Sequence, residues 1–409
     1  MSLSLPLKEL QVPLVKASSS GDHTENGALT PTASTQSPQS HQAAPLKFWP
    51  SAWNAIREDK LNILLVFVPL SFIFKFANLP GGWTFSASCL AIVPLSNLLG
   101  KCTEELGKRT SDSIAGLLNA TFGNAIELIV SMIALYRNYL DVVRASLLGS
   151  IIGNLLLVAG CAFFAGGMKY KTQKFSACAA GTSSSLLTLT VLGILLPGSL
   201  TFRTTPEDDK QISEETLKVS RFAALVLLAT YGQFLVFQLK THKDEFSDEE
   251  GEEEEAKMTT SSAVFMLVAV TVVVSFCGEF LVGSIEEVSE SWNLSRTFIG
   301  VIVLPIVGNA AEHATAVTMA MKNKMNLALA VVIGSSTQIA MSVIPVLVLA
   351  GWAMGRELGL NFDFEQSIIL FMSTLLTEFI TVDGESNWLE GSMLLAAYSI
   401  VSACFFFQR

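Results

Sequence analysis

Gly123-Asn124-Ala125-Ile126-Glu127 recurs 185 residues later as Gly308-Asn309-Ala310-Ala311-Glu312, with one position changed. Downstream, Gly149-Ser150 recurs as Gly334-Ser335 at the same interval of 185. Each half also has a glutamate pair upstream, Glu104-Glu105 and Glu286-Glu287. Chance can echo one pentapeptide, but not the matched spacing as well. The chain must fold as two related halves.

The surroundings of the repeat narrow the choice further. Half of the 409 residues are apolar and only 15% are charged, against about 25% in an ordinary soluble chain. The charges cluster between apolar stretches, several of which exceed the roughly 18 residues of a candidate membrane helix. Eleven such segments are predicted, near 61–78, 83–100, 113–136, 143–166, 176–197, 218–239, 260–283, 297–320, 326–352, 365–382 and 388–408. Each repeat then holds five segments, and the first segment is an extra. Five is odd, so the second copy must enter the membrane from the opposite side. The expected fold is therefore an all-α membrane protein of about eleven transmembrane helices, an extra N-terminal helix plus two inverted five-helix repeats. Secondary transporters use this arrangement, with the binding site near the midplane where the repeats meet.

The corresponding domains are a disordered cytosolic tail at 1–58, the extra helix at 59–80, the first repeat at 81–240, an acidic linker at 241–258 and the second repeat at 259–409. Residues 17–45 are rich in Ser, Thr, Gln, Pro and Ala, a composition too polar to bury a core. The first apolar stretch starts near Leu61, too far in for an ordinary secretory signal. With the N-terminus in the cytosol, fourteen Lys and Arg flank the cytosolic side and ten the other, which also puts the acidic linker in the cytosol. Nine acidic residues between Asp244 and Glu255 account for most of the net charge of -10. No basic stripe suggests nucleic acid. The six cysteines form no CxxC pair and read as buried, inert thiols.

Chemistry concentrates at the repeated motif. Glu127 and Glu312 lie inside apolar segments, where an ionisable group costs at least about 2.5–3.5 kcal/mol and marks a functional position. On a helix, Asn124 shares a face with Glu127, and Asn309 with Glu312. Gly123 and Gly308 permit close backbone approach and a local break, which frees carbonyl oxygens; the alternative for them is tight helix packing. Ser150 and Asn154 in one half, and Ser335 and Gln338 in the other, add further oxygen. These hard oxygen ligands suit calcium, which takes about 6–8 oxygens, and two carboxylates match a divalent charge. The same carboxylates can couple protons. Away from water they favour the neutral form, and a bound divalent cation drives the protons off. Glu127 and Glu312 are thus the expected carriers, with Asn124, Asn309, Gly123, Gly308, Ser150, Asn154, Ser335 and Gln338 as metal-site groups. No cofactor is expected; the ions are cargo.

Other polar residues carry less. His313 follows Glu312 but points about 100° away on a helix, so it reads as a packing or supporting group. Glu279 is a candidate for the ion path. Glu104, Glu105, Glu286 and Glu287 lie near segment ends, where they either attract cations or simply meet water. Glu378 has no counterpart in the first half. Asn293-Leu294-Ser295 is a glycosylation sequon too near the membrane to expect use.

At these motifs the sequence resembles the cation/proton exchanger family of the calcium/cation antiporters. The resemblance covers about residues 58–409 and rests on GLLNATFGNAIELIVSMIA (Gly116 to Ala134), ASLLGSIIGNLLLVAGCAFFAGG (Ala145 to Gly167), VGNAAEHATAV (Val307 to Val317), GSSTQI (Gly334 to Ile339) and DGESNWLEG (Asp383 to Gly391). It implies antiport of calcium and protons at a vacuolar membrane, with calcium moved from the cytosol into an acidic store. It implies Glu127 and Glu312 as the essential carriers and the acidic linker as the counterpart of the family's acidic helix. Gly153 stands where related chains often have Ser and Gly278 where they commonly have Ala, and some relatives favour manganese. The resemblance leaves oligomeric state open.

Three alternatives make distinct demands. A sodium-coupled exchanger would need further acidic and hydroxyl groups on the motif helices, where this chain has Asn, Ala and Gly. A passive channel usually places its symmetry across subunits, whereas here it is internal and inverted. An intramembrane enzyme would need a nucleophile paired with a base, and none is found.

Overall fold

The computed structural model describes residues 47–201, 209–242 and 256–408. The tail before Lys47, part of the loop 198–217 and most of the acidic linker lie outside them. Fourteen helices organise the described residues: α1 (Phe48–Arg57), α2 (Phe67–Phe76), α3 (Gly81–Gly107), α4 (Asp112–Phe122), α5 (Ala125–Tyr136), α6 (Leu140–Lys169), α7 (Ala177–Thr201), α8 (Asp209–Val236), α9 (Thr260–Trp292), α10 (Arg296–Gly308), α11 (Ala310–Met321), α12 (Met325–Ala353), α13 (Phe364–Thr381) and α14 (Trp388–Phe407). Helices predominate because in hydrocarbon each backbone N–H and C=O must find its partner within the segment.

Among the described residues seven helices are long and apolar enough to cross a membrane, or eight if the bent pair α10–α11 is one span. Of the eleven predicted segments, these account for eight. The other three are shorter or interrupted: 61–78 is a 3-10 turn, Lys60–Val66, followed by α2; 113–136 is α4 and α5 with a break between; 365–382 is α13. The predicted tail also changes, because α1 forms within 1–58. Its Ser51, Ala52 and Ala55 are buried, and Ser51 Oγ lies 3.0 Å from Ser262 Oγ at the start of α9. Apolar contact orders a segment that follows a run of tail-like composition.

Local structure repeats as the sequence does. Helices α3 to α8 correspond in order to α9 to α14. Both α6 and α12 contain a π-helical turn, Gly153–Val158 and Ile339–Val343. Asn138 and Asn323, again 185 residues apart, have φ of 64° and 61° and end α5 and α11. The next residue closes each end, Tyr139 N–H donating to Ala134 O and Lys324 N–H to Met319 O, both at 2.9 Å. Asparagine tolerates this left-handed geometry better than most residues.

Helices α6 and α12 form the centre. The apolar stretch of α6 is 83% buried and that of α12 67%, against 22% for α8 and α14, which present their flanks outward. Around them α3 packs along α9, α14 and α11 along α6, and α8 along α12. Gly160 and Gly391 let α6 and α14 cross closely, since a Cβ on Gly391 would lie 2.8 Å from Gly160 O. The loops after α6 and α13 pair as a two-residue antiparallel ladder, Gln173 opposite Ser386 and Lys174 opposite Glu385. Of the cysteines, Cys89, Cys102 and Cys277 are buried, whereas Cys178 and Cys404 are exposed on the helix surface rather than buried as expected. Their helices are peripheral, so an apolar stretch there faces outward.

Candidate ion-binding site

The site forms where two helices break. Between α4 and α5 the break falls at Asn124 (φ -107°, ψ 29°), and between α10 and α11 at Asn309 (φ -92°, ψ 10°). The α10–α11 pair bends by 58° there. Each asparagine carbonyl starts the following helix, accepting from Leu128 N–H at 3.1 Å and His313 N–H at 2.9 Å. This puts Glu127 and Glu312 in the first turns of α5 and α11. A helix N-terminus favours negative charge, which offsets part of the cost of a carboxylate away from bulk water.

Amides and one hydroxyl link the two halves in a continuous chain. Asn124 Nδ2 donates to Gln338 Oε1 at 2.7 Å, and Asn124 Oδ1 accepts from Ser335 Oγ at 2.9 Å. Ser335 Oγ accepts in turn from Asn154 Nδ2 at 3.0 Å, and Asn154 Oδ1 from Asn309 Nδ2 at 3.4 Å. Asn124, Asn154, Asn309 and Ser335 are all buried. Glu312 lies within reach of Ser335 and Asn154, and near enough to Glu127 for the charges to interact. Glu127 lines a small cavity with Ser150 and Gly308. A Cβ on Gly308 would lie 3.2 Å from Glu127 Oε1, and one on Gly123 3.5 Å from Gln338 Oε1.

All ten predicted site residues thus fall in one cluster. Three of its acceptor oxygens, Glu127 Oε1, Glu312 Oε2 and Asn309 Oδ1, are buried without a hydrogen-bond partner. Buried polar groups usually find partners, and three unpartnered acceptors in one cluster are compatible with a bound cation. The donor set is oxygen throughout. Among the described residues no group of three His, Cys, Asp or Glu side chains gathers as a metal site, so any ion here relies on amides, hydroxyls and backbone carbonyls beside the two carboxylates.

One contributor lies outside the repeated motifs. Ser96 on α3 donates to Gly308 O at 3.2 Å and supports the break. Its signal was a Ser96-Asn97 pair inside an otherwise apolar stretch. The peripheral acids take other positions. Glu279 pairs with Arg137, and Glu286 with Arg296 at 2.7 Å. Glu287 accepts from Gly81 N–H at 2.6 Å, and Glu105 from Met258 N–H at 2.8 Å. Glu104 lines a vestibule of about 370 Å³ that reaches Asn119, Ser183, Asn326 and Gln338. Half-buried His313 leaves Nε2 without a partner.

Comparison with known proteins identifies the family. The pattern of the sodium/calcium exchanger protein family matches residues 81–240 and 262–407. The chain belongs to that family. Within it the chain stands with the cation/proton exchangers, which are transporters rather than enzymes. It is 42% identical over 373 residues to a vacuolar cation/proton exchanger 2 of Oryza sativa subsp. japonica, covering 88% of this chain and 85% of that one. It is 44% identical to a Ca(2+)/H(+) antiporter of Synechocystis, covering 85% of this chain and 96% of the relative. The solved structure of native YfkE superposes with a TM-score of 0.73 at 38% identity, covering 85% of this chain and 99% of that one.

Proposed function

We propose that this protein is a secondary active antiporter that exchanges cytosolic calcium for protons from an acidic compartment by alternating access, with Glu127 and Glu312 binding either the metal or protons. The observation that carries the reading is the set of orphaned acceptors, Glu127 Oε1, Glu312 Oε2 and Asn309 Oδ1, within one amide network. Calcium accepts about 6–8 oxygens of flexible geometry, which Asn124, Asn154, Ser150, Ser335, Gln338 and the carbonyls at Gly123 and Gly308 could help complete. Without metal, each carboxyl can instead hold a proton. Two carboxyls release up to two protons per divalent ion, and each proton crossing one pH unit supplies about 1.4 kcal/mol. The relatives' names, cation/proton exchanger and Ca(2+)/H(+) antiporter, support the same ions.

An asymmetry between the halves supports alternating access. A Cβ on Gly149 would run into the backbone of Val301, so α6 and α10 are in close contact. At the equivalent Gly334 on α12 a Cβ would meet nothing within 4 Å. One pathway is packed shut and the other is the vestibule. The vestibule borders the ends of α6 and α11, where Lys169, Lys171, Lys174, Lys322 and Lys324 cluster, the side assigned to the cytosol by charge. On this reading the conformation faces the cytosol, the repeats are inverted, and the tail and acidic linker are cytosolic. The vacuolar names of the plant relatives favour a vacuolar membrane.

Calcium uptake into sealed proteoliposomes under an imposed pH gradient tests the reading, with manganese as competitor and a sodium gradient at constant pH as the control arm. Uptake that follows the pH gradient and disappears in Glu127→Gln and Glu312→Gln is expected. Sodium-driven uptake at constant pH would replace the proposal with sodium exchange. Large proton-independent unitary currents would replace it with a channel.

A further inference from the structure

The two carboxylate-bearing helices are held at their far ends in the same manner, each by the opposite half of the chain. Helix α5 ends at Tyr136, whose carbonyl accepts from Arg356 Nη2 at 2.8 Å; α11 ends at Met321, whose carbonyl accepts from Lys169 Nζ at 2.8 Å. Tyr136 and Met321 are one repeat interval apart, 185 residues. Lys169 ends α6 and Arg356 follows α12, so the two cations come from equivalent places in the fold. Beneath each hold lies a glycine, and these too are one interval apart. A Cβ on Gly166 would lie 3.3 Å from Ala320 Cβ, and one on Gly351 3.6 Å from Leu135 Cδ1. The cytosolic hold has a second member, buried Gln173, which donates to Ala320 O and to Asn323 Oδ1, both at 2.9 Å.

The last carbonyls of a helix have no partner within it and carry the negative end of its dipole, so a cation there both satisfies and stabilises them. Each of these helices is 12 residues long, with its glutamate in the first turn and the foreign cation on the last residue. A rod so short passes a displacement at one end directly to the other. We propose that Lys169 and Arg356 are positioning residues that set where Glu312 and Glu127 stand, so that each half registers the carboxylate of the other. The transport readout of this proposal rests on the antiport reading above.

The experiment compares Lys169→Gln and Arg356→Gln with Lys169→Arg and Arg356→Lys, all at exposed or half-exposed positions. Two quantities are read, the calcium KM of pH-driven uptake and the calcium-induced rise in Tm of the purified protein. Each glutamine variant should raise KM about three- to tenfold and lose a matching share of the calcium-induced Tm rise, the scale of one exposed hydrogen bond. The arginine and lysine variants should return both to within about twofold. A lower Tm without calcium, with KM and the calcium-induced rise unchanged, would mean a merely structural role and overturn the proposal. Equal losses in the conservative variants would overturn it as well. Absence of pH-driven uptake in the unaltered protein, with the calcium-induced Tm rise intact, would defeat the antiport reading alone; the Tm comparison would still decide this one.

Discussion

Asn124 and Gln338 stand 214 residues apart in the chain, yet their side-chain amides meet at 2.7 Å. The bond joins the break after α4 to the middle of α12 and so ties the first half's motif to the second half's central helix. Because Asn124 also accepts from Ser335, its one side chain spends both amide functions on α12. Removing either partner leaves a buried polar group unpaired, which costs more than the bond itself was worth. Asn124→Ala and Gln338→Ala should each reduce pH-driven calcium uptake at least about tenfold, and the double variant should be little worse than either single one. Additive losses in the double-mutant cycle would show that the two residues act separately.

The contrast between Gly149 and Gly334 yields a second expectation. If the halves exchange conformations, Gly334 must take up the close contact that Gly149 makes now. Gly334→Val should therefore leave folding and calcium binding intact but stop turnover, because the vestibule can no longer close. Gly149→Val, by contrast, meets the backbone of Val301 at once and should cost about 1–3 kcal/mol of stability through overpacking. Thermal unfolding and calcium binding in detergent, set beside uptake, separate the two. Full turnover in Gly334→Val would contradict the exchange of conformations.

On the side proposed to be closed, Arg137 pairs with Glu279 and Arg296 with Glu286, and Tyr139 lies under the Arg296 guanidinium at 5.8 Å. These groups come from α9, α10 and the turn after α5, all of which must separate for that side to open. Neutralising the acids by Glu279→Gln with Glu286→Gln should speed modification of a cysteine placed at Ser131, within the small cavity beside Glu127, by an impermeant thiol reagent from that side. The measurement needs a background without the exposed Cys178 and Cys404. An unchanged labelling rate would mean that the ion pairs do not restrain the closed side.

A Cβ on Gly153 would meet nothing within 4 Å. Gly153→Ser should fold with unchanged Tm. Its hydroxyl would enter beside Asn154, so the ratio of manganese to calcium uptake should shift. A ratio identical to that of the unaltered protein would show that this position lies outside the ion's reach.

The helices and their pairing into halves were legible because lipid leaves the backbone few options and because motif and spacing repeat together. The site was legible for the same reason: two acids at equal intervals inside apolar stretches have no cheap structural excuse. What stayed hidden depends on three-dimensional approach. Ser96 comes from another helix to support the break, and Lys169 and Arg356 reach across to the opposite half, relations that spacing along one segment does not encode. The breaks between α4 and α5 and between α10 and α11 fall at Asn124 and Asn309, beside Gly123 and Gly308 where a local break was expected. Helix α1 was read as tail because its neighbours are tail-like, although Ser51, Ala52 and Ala55 pack it in place. Nor can two near-identical motifs reveal that Gly149 is in contact while Gly334 is free.

The central claim is that calcium and protons compete for the same two carboxyls, and proton release on calcium binding tests it most directly. Purified protein in weakly buffered detergent solution, titrated with calcium against a pH indicator, should release up to about two protons per bound ion. Glu127→Gln and Glu312→Gln should each lower that number, and the double variant should release none. Calcium binding to the unaltered protein without proton release, or undiminished release from the double variant, would contradict the account.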